Sequence, residues 1–459
     1  MDNPLNEIHQ DIPEIIECPI TMEEPNSRIH IYEGDFILKN NETRIEVSGK
    51  IEFCWLPRII ITITGTITKA TREEIIASFG VLNYDVEING EFFTKFFLTN
   101  YSHELNQKFI VIQGVGLDKA VIGDGSIPVS KMLFSIPNLR SFEGISAKKI
   151  VDSQVKISHC RLRFENDKYR ITIDRRHKYD DLKSSLKTSG GYILLYDGEI
   201  QVKKGSSNTL GFEEIRSCLS GFFSFLNGRR VSLLFLHGIH EGKMIWCDFT
   251  PKQSDLHQEV FSWPLSFSIE GLDTLWANFD KLWTDKGNSD FLNTVLHWYL
   301  EANTNSGYVE GSIIMVQTGL ELIYNWLIIE KKKIIIGKDS EDIQASNKIR
   351  LVLSQMMIPF EIPKGFPGIL KYSKTNKDIL DGPELIVMLR NAIVHSQKDK
   401  RKKLASIPSD VRFEALHLSL WYLELAILYL LNYQGKYANR CLTEGIQIDK
   451  EQLVPWAVK

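Results

Sequence analysis

The pattern of apolar residues changes near residue 255, and this change constrains the fold more than any other feature of the chain. Before it, short segments rich in Ile, Val, Thr and aromatic residues are separated by turn residues, which is typical of β-strands. After it, apolar residues recur every three or four positions over long segments, which is typical of α-helices. The sequence therefore predicts an α+β protein, with a β-rich N-terminal domain of antiparallel, sandwich-like sheets at residues 1–255 and an all-α bundle after it.

Turn dipeptides divide the first region into strands. Asn89-Gly90 and Asp197-Gly198 each lie between strand-like segments and predict two-residue hairpins, because both turn residues tolerate positive φ. Asn166-Asp167 predicts a further turn. The expected strands and the one clear helix of this region are Arg28–Leu38, Thr43–Cys54, Ile59–Ile67, Tyr192–Tyr196, Glu199–Val202, Arg230–Leu236, Lys243–Phe249 and helix Phe212–Leu226.

The second region reads as helices. A connecting helical segment at residues 256–285 contains a predicted helix, Glu270–Thr284. A bundle at residues 286–440 and a C-terminal tail at residues 441–459 follow. Its five predicted helices are Phe291–Ala302, Tyr308–Lys332, Ser340–Met357, Gly382–Ser396 and Asp410–Tyr433.

Composition excludes several classes of protein. Of 459 residues, 43% are hydrophobic and 24% charged, as in soluble globular proteins, and the net charge of −4 leaves nucleic-acid binding to local patches. Six scattered cysteines without a Cys-x-x-Cys pair favour a reducing cytosol. The N-terminus has no apolar signal core, and the most apolar stretch, Leu416–Leu431, is shorter than the ~20 residues of a membrane span. We expect a cytoplasmic protein with no membrane contact.

Arg390-Asn391-Ala392-Ile393-Val394-His395 is the segment best suited to chemistry. Arginine offers a planar fork for phosphate oxygens, and histidine can move a proton near neutral pH. Asp381 is a predicted N-cap for this helix, with Glu384 at the capping-box position. The predicted core stripe consists of Leu385, Met388, Leu389, Ala392 and Ile393.

The polar residues of this segment fall outside the core stripe. Asn391 and His395 are four residues apart and so are neighbours, whereas Arg390 and His395 lie ~140° apart around the helix axis. Val387 and Val394 share that outer half, where valines would be unusual on a solvated face. We therefore predict that a second copy of the helix packs there in a homodimer or higher homo-oligomer.

A simpler interpretation remains open for these residues. A cation near a helix C-terminus is often only a partner of the helix dipole. The basic run that follows, with Lys398, Lys400, Arg401, Lys402 and Lys403, is either a solvated loop or a contact for the RNA backbone. Glu321, in mid-helix, is a possible supporting residue that pairs with Arg390 or an internal partner.

Together these residues resemble the Arg-polar-x-x-x-His motif of HEPN domains, and residues 286–440 are similar in particular to the Apea-like HEPN family. Further segments carry the resemblance in family order: Trp298–Ala302, Gly319–Glu321, Lys348–Leu353 with Ile358-Pro359, Leu418–Leu425 and Gly435–Arg440. Some HEPN toxins carry a tyrosine, modified by a partner nucleotidyltransferase, two residues after the histidine. That position is Gln397 here, which argues against such a partner.

The resemblance implies an endoribonuclease that works as a dimer without metal or cofactor, of the kind found in toxin, abortive-infection and anti-phage systems. Arg390, Asn391 and His395 would be catalytic, RNA the substrate, and the N-terminal domain a sensing or positioning part for a phage-derived trigger. Two alternatives fit the same residues: an inactive HEPN module that binds RNA or protein, and a structural dimerisation domain.

One other group of residues has side chains that can bind a metal ion. His237, His240 and Cys247 could suggest zinc, but a zinc site needs four ligands and no fourth is evident. The tetrad Arg175-Arg176-His177-Lys178 has Asp180 and Asp181 beside it and is interpreted as surface.

Overall fold

The computed structural model describes residues 11–41, 43–69, 83–103, 110–265, 269–304, 307–395, 397–442 and 450–457. The chain divides into two compact units. The sheet unit contains the residues up to Ser220 and Val231–Gln258, and the helical unit contains Gly221–Arg230 and the residues from Glu259 onward. The first ten residues, for which no signal core was predicted, lie outside the described residues. So do the last residue of the predicted helix Gly382–Ser396 and part of the predicted tail.

Six described strands of the sheet unit close into an antiparallel barrel. They are β1 (Ile29–Lys39), β2 (Arg44–Cys54), β3 (Ile60–Lys69), β4 (Asn83–Ile88), β5 (Glu91–His103) and β6 (Ile110–Gly116), in the order β1-β2-β3-β6-β5-β4. In β2, Ile45, Val47, Ile51 and Phe53 are buried on one face while charged residues alternate with them. The first three strands confirm the predicted segments.

The Asn89-Gly90 hairpin between β4 and β5 is confirmed. Asn89 and Gly90 have φ values of 53° and 83°, which is the left-handed geometry of the short turns that match strand twist. A side chain at position 90 would meet no neighbouring atom, so glycine is favoured here by the positive φ and not by a lack of space.

Eight further strands form an open antiparallel sheet. They are β7 (Val121–Gly123), β8 (Lys131–Pro137), β9 (Ile145–Val151), β10 (Gln154–Glu165), β11 (Tyr169–Arg175), β12 (Leu194–Val202), β13 (Leu234–His240) and β14 (Lys243–Asp248), in the order β7-β14-β13-β8-β12-β11-β10-β9. The Asn166-Asp167 turn between β10 and β11 is confirmed. Helices α1 (Tyr179–Ser189) and α2 (Thr209–Asn227) accompany the sheet; the sequence predicted only α2. The antiparallel prediction holds, with a closed barrel and an open sheet where sandwich-like sheets were expected.

The hairpin prediction at Asp197-Gly198 is wrong. Strand β12 runs straight through this dipeptide, with Asp197 opposite Asp174 of β11 and Gly198 opposite Ile173. A side chain on Gly198 would meet the Phe134 ring at 2.4 Å, so glycine is needed here for close packing between strands. Strand β13 also begins at Leu234, four residues later than predicted.

Buried arginine–aspartate pairs cross the interior of the sheet unit. Arg161 donates to both carboxylate oxygens of Asp174 at 2.8 and 2.6 Å, and Arg176 donates to Asp197 at 2.6 Å. All four side chains are at most 8% exposed. Charges buried this deeply require partners, and these partners are on neighbouring strands or the loop that follows β11.

The same pairs hold an N-terminal segment, residues 13–20, against the sheet. The backbone N–H of Ile16 donates to Asp174 at 2.7 Å, and Arg176 donates to the carbonyl of Ile20 at 2.6 Å. Residues 13 and 15 also exchange backbone hydrogen bonds with Lys148 of β9. The segment thereby covers the free edge of β9 in part.

The helical unit contains the predicted bundle helices, of which Ser340–Met357 is divided into two (Asp339–Asp342 and Ala345–Gln355), and several shorter ones. They are α3 (Leu272–Thr284), α4 (Ser289–Asn303), α5 (Tyr308–Ile323) continuing as a π-helix (Tyr324–Lys331), α6 (Asp339–Asp342), α7 (Ala345–Gln355), α8 (Pro367–Thr375), α9 (Gly382–Val394), α10 (Lys398–Ser406) and α11 (Ser409–Leu430). The sequence did not predict α8 or α10. Helix α11 packs against α4, α5, α7, α8 and α9 and is therefore the centre of this unit.

A buried ionic network ties the end of the chain to the helices. Glu424 of α11 accepts hydrogen bonds from Tyr299 of α4 at 2.6 Å and from Arg440 at 2.7 and 2.8 Å. Strands β15 (Lys436–Ala438) and β16 (Glu451–Leu453) pair beside it, so part of the predicted tail belongs to the fold. Trp456 is 7% exposed and donates to the carbonyl of Tyr433.

Two helical stretches, Tyr308–Lys331 and Ser409–Leu430, are long and apolar enough to cross a membrane by length and composition alone. In the fold, 56% and 72% of their most apolar windows are buried inside the protein. This agrees with core helices of a soluble protein and with the buried helix predicted at Leu416–Leu431.

Candidate functional site

Helix α9 carries the candidate site, and its N-terminus is fixed as the sequence predicted. The Asp381 carboxylate accepts from the backbone N–H of Glu384 at 2.9 Å, which is the expected N-cap. Arg350 of α7 then pairs with both oxygens of Asp381, at 2.5 and 2.9 Å, and with Glu384 at 3.0 Å. The backbone N–H of Glu384 therefore completes the cap, while its carboxylate accepts from Arg350. Through Arg350, the capped end of α9 is held to α7.

The buried face of α9 is wider than the predicted stripe. Leu385, Ile386 and Leu389 are fully buried, because α9 packs against α5, α7, α10 and α11. Met388 and Ile393, predicted to face the core, are only partly buried.

The expectation that Val387 needs a second copy of the helix for burial is wrong. Val387 is 8% exposed within the single chain, since α10 packs on that side of α9. Val394, the other predicted interface residue, is 43% exposed. Of these two valines, only Val394 is exposed enough to contact another molecule.

Arg390, Asn391 and His395 lie at the C-terminal end of α9. Arg390 is partly buried and donates from Nη1 to Asn391 Oδ1 at 3.2 Å. His395 ends the helix and is exposed, and its backbone N–H donates to the carbonyl of Asn391 at 3.1 Å. The amide of Asn391 can thus orient the guanidinium, while the imidazole faces solvent.

Glu321 has a structural partner in α5. It accepts from Gln317 Nε2 at 3.0 Å, and among the described residues it forms no ion pair with Arg390. Of the two roles considered from sequence, the internal partner is the one observed in the fold.

The basic run forms a helix, α10, and not a loop. Each of its five predicted RNA-binding residues is exposed: Lys398, Lys400, Arg401, Lys402 and Lys403. No residue of this helix is buried. Its packing against α9 places a cationic surface beside the candidate site.

A groove of about 210 Å³ lies between α9 and α10. Asn391, Val387, Lys400 and Lys403 from the sequence prediction line it, whereas Arg390 and His395 do not. The other lining residues, which sequence reasoning missed, are Asp378, Glu384, Met388 and Ala392. Arg390 and His395 therefore do not contribute to this groove.

The possible zinc cluster does not assemble. His237 and Cys247 face each other across β13 and β14, but His237 is 2% exposed, and His240 lies near Glu241 instead. Within the described residues, no group of three or more His, Cys, Asp or Glu side chains could hold a metal ion. Burial also raises the pKa of the Cys247 thiol to about 12, which disfavours the thiolate that zinc would require.

Parts of both units match domain models that carry one family name. Residues 285–449 match the model of the YopA C-terminal domain, and residues 124–260 match that of the YopA central domain. The chain is similar to the SPbeta prophage-derived uncharacterized protein YopA of Bacillus subtilis (strain 168), with 28% identity over 444 residues, covering 95% of this chain and 96% of the relative. No solved structure matches. These similarities assign no activity, so the HEPN resemblance stays a prediction.

Proposed function

We propose that the helical unit is a metal-independent endoribonuclease whose site is formed by Arg390, Asn391 and His395. The observation that carries the proposal is the exposed His395 at the end of α9, followed at once by the cationic helix α10. A proton-transfer group beside a surface that attracts phosphate is the minimum equipment for cleaving an RNA backbone.

In this mechanism His395 removes the proton from a ribose 2′-OH. The oxygen attacks the adjacent phosphorus, the bond to the 5′-oxygen breaks, and that oxygen takes a proton. The products are a 2′,3′-cyclic phosphate and a 5′-OH, so DNA, without the 2′-OH, is not a substrate. Arg390, oriented by Asn391, stabilises the charge that builds on the phosphorane.

The second proton transfer favours a dimer. Arg390 and His395 lie ~140° apart around one helix, and one helix offers only one histidine. A second copy meeting the C-terminal end of α9 near the exposed Val394 would supply another His395 to protonate the leaving oxygen. Homodimerisation through this end of the helical unit is therefore part of the proposal.

The test uses the full chain with RNA in excess chelator. His395→Ala and Arg390→Ala should each reduce cleavage by about 10²-fold or more with an unchanged melting temperature. The matched controls are exposed residues of the sheet unit, His240→Ala and Arg58→Ala, which should cleave normally. Equal cleavage by all four variants, or loss of folding in the site variants, would overturn the enzyme.

The alternative is an inactive module that binds RNA or protein. One observation favours it: Arg390 is partly buried against Asn391, and neither Arg390 nor His395 lines the groove between α9 and α10. Tight RNA binding without any cyclic-phosphate product would select this alternative.

The dimer is tested at Val394. Val394→Asp should shift the mass by light scattering from dimer to monomer and abolish cleavage, while the fold persists because the side chain is exposed. Val387→Asp serves a different purpose, since it buries a charge within the chain and should lower stability. A fully active monomer contradicts this part of the proposal.

The biological setting is an extension of the same proposal. The prophage origin of the similar Bacillus subtilis protein supports a role in anti-phage defence, such as abortive infection. The protein would act in the cytoplasm as a toxin on RNA, with the sheet unit responding to a phage-derived trigger. RNA cleavage in cells that appears only during phage infection is the result expected.

A further inference from the structure

The tetrad Arg175-Arg176-His177-Lys178 lies at the surface, as predicted, and it lines a concave part of that surface. It forms one wall of a cavity of about 270 Å³ in the sheet unit, near the lower end of the ~300–1,000 Å³ typical of small-molecule sites. We propose that this cationic pocket (Lys149, Lys156, Arg175, His177 and Lys178) binds a small molecule carrying a phosphate monoester. The proposal is independent of the ribonuclease activity.

The pocket has more positive charge than its own carboxylates neutralise. Arg176 is occupied by the buried Asp197, and Lys149 pairs with the exposed Glu17. Lys156 and Lys178 form no ion pair with any residue that the structure describes. Asp180 and Asp181, in the first turn of α1, are the acidic residues of its lining.

Arg175 is the residue best placed to recognise an anion. Its Nη atoms donate to Ser141 Oγ and to the carbonyl of His159, both at 2.9 Å, and neither acceptor is a charged group. Its Nε is buried without a hydrogen-bond partner among the described residues, so a ligand would bind through the remaining N–H groups of the Nη atoms. The guanidinium lies 5.4 Å from the centre of the Tyr179 ring, which fixes its plane. A preorganised guanidinium without a carboxylate partner is suited to a phosphate.

Helix α1 adds a second source of positive potential. Its first residues, Tyr179, Asp180 and Asp181, line the pocket, so the helix begins at the cavity. The N–H groups of a first helical turn have no acceptor inside the helix and favour anions. The N–H of Tyr179 already donates to the carbonyl of Arg176, so the effect here comes from the remaining N–H groups and is reduced by the carboxylates of Asp180 and Asp181. The helix has eleven residues, long enough for this effect.

The ring of His177 responds to the same field. Burial lowers its pKa, and the positive charges of Lys149, Lys156 and Lys178 lower it further, while Glu17 opposes them. An anion bound among these lysines would raise the His177 pKa, which gives a readout that needs no enzyme activity.

The experiment titrates the full chain with AMP and with inorganic phosphate, and follows binding by calorimetry and the His177 ring by NMR. AMP should bind and raise the His177 pKa. Adenosine, which lacks the phosphate, should not. Stronger binding of AMP than of inorganic phosphate identifies a phosphorylated metabolite, and equal binding identifies free phosphate.

Variants locate the site. Lys156→Gln combined with Lys178→Gln should weaken AMP binding at least about tenfold and raise the His177 pKa in the unbound protein. Lys156→Arg with Lys178→Arg should restore binding. Lys119→Gln, an exposed lysine outside the pocket lining, is the matched control and should change nothing.

Three results would show that the pocket does not bind a phosphate compound as proposed. They are no response to either phosphate compound, binding that survives the double Gln variant, and a His177 pKa that stays fixed while AMP binds. Tighter binding of a single-stranded oligonucleotide than of AMP at these lysines would replace the small molecule with a nucleic acid, and the proposal would fail.

Discussion

The two basic segments of this chain look alike as sequence and differ completely as structure. Arg175-Arg176-His177-Lys178 places one arginine in a buried ion pair and another against the Tyr179 ring, and the segment ends in a cavity. Lys398–Lys403 forms an exposed helix without a single buried residue. The first segment holds its arginines in an ion pair and against a ring, whereas the second presents its charges on an exposed helix.

This difference separates two kinds of anion recognition. Charges that line a pocket select a ligand by size and geometry, while an exposed cationic helix attracts any polyanion in proportion to its charge. The sheet unit therefore has the means for selectivity, and the helical unit has the means for affinity toward a long backbone.

The largest expected effect concerns the first segment. Arg176→Ala leaves Asp197 buried without its countercharge and should reduce the free energy of unfolding by about 3–5 kcal/mol. Urea unfolding of the full chain measures the change. Lys400→Ala, an exposed cation in the other segment, is the control and should stay within about 0.5 kcal/mol of the wild type. Equal losses in both would mean that the segments do not differ.

The second-largest expected effect is a difference between the two units in how their stability depends on pH. Burial, and then the charge of Arg440, lowers the pKa of His417 in the helical unit to about 4. The stability that a neutral His417 contributes is present above its unfolded pKa of ~6.5 and is lost as pH falls toward 4, by up to about 3 kcal/mol. Burial raises the pKa of Asp197 in the sheet unit, so its contribution instead favours the folded state at low pH.

Hydrogen exchange between pH 7 and pH 4 measures this contrast. Residues of the helical unit should lose protection first, and His417→Gln should delay that loss. If His417→Gln leaves the acid response of the helical unit unchanged, the buried imidazole is not its cause.

A smaller effect is expected in the salt dependence of RNA binding. Replacing Lys400, Arg401, Lys402 and Lys403 with Ser should reduce the slope of log affinity against log salt by ~0.7 for each lost phosphate contact. Lys156→Gln with Lys178→Gln should leave the slope unchanged, since these lysines belong to the sheet unit and lie outside the basic helix that is proposed to follow the RNA backbone. A slope that depends on the pocket lysines instead would reverse the comparison.

The smallest effect concerns the one acid in the exposed helix. Asp399→Asn removes a negative charge from the first turn of α10, where it stands among cations. At an exposed site this should strengthen RNA binding by less than about threefold, because water and salt screen the interaction. A larger gain measured by fluorescence anisotropy would show that Asp399 lies within the bound RNA footprint.

Sequence reasoning succeeded where local chemistry determines the structure. The Asn89-Gly90 hairpin follows from two residues that tolerate positive φ, and the start of α9 follows from the Asp381 cap. It failed at Asp197-Gly198, because the same kind of dipeptide was used for a buried ion pair and a close strand contact. Both partners of that arrangement, Arg176 and Phe134, are distant in sequence.

The candidate site was predicted only in part for a similar reason. The positions of Asn391 and His395 at the end of α9 follow from helix periodicity. The burial of Val387 depends on α10, and a run of lysines gave no apolar pattern from which to predict a packed helix. The groove residue Asp378 has no signal in the sequence that we could identify.

The N-terminal segment has a consequence for the order of events during synthesis. The thiol of Cys18 donates to the carbonyl of Phe134, and its backbone N–H donates to Asp197, 179 residues further along the chain. A nascent chain must therefore leave this cysteine without both partners until β12 has left the ribosome. Cys18 is 5% exposed in the finished protein, so the loss of its reactivity would report when the N-terminal segment docks on β8 and β12.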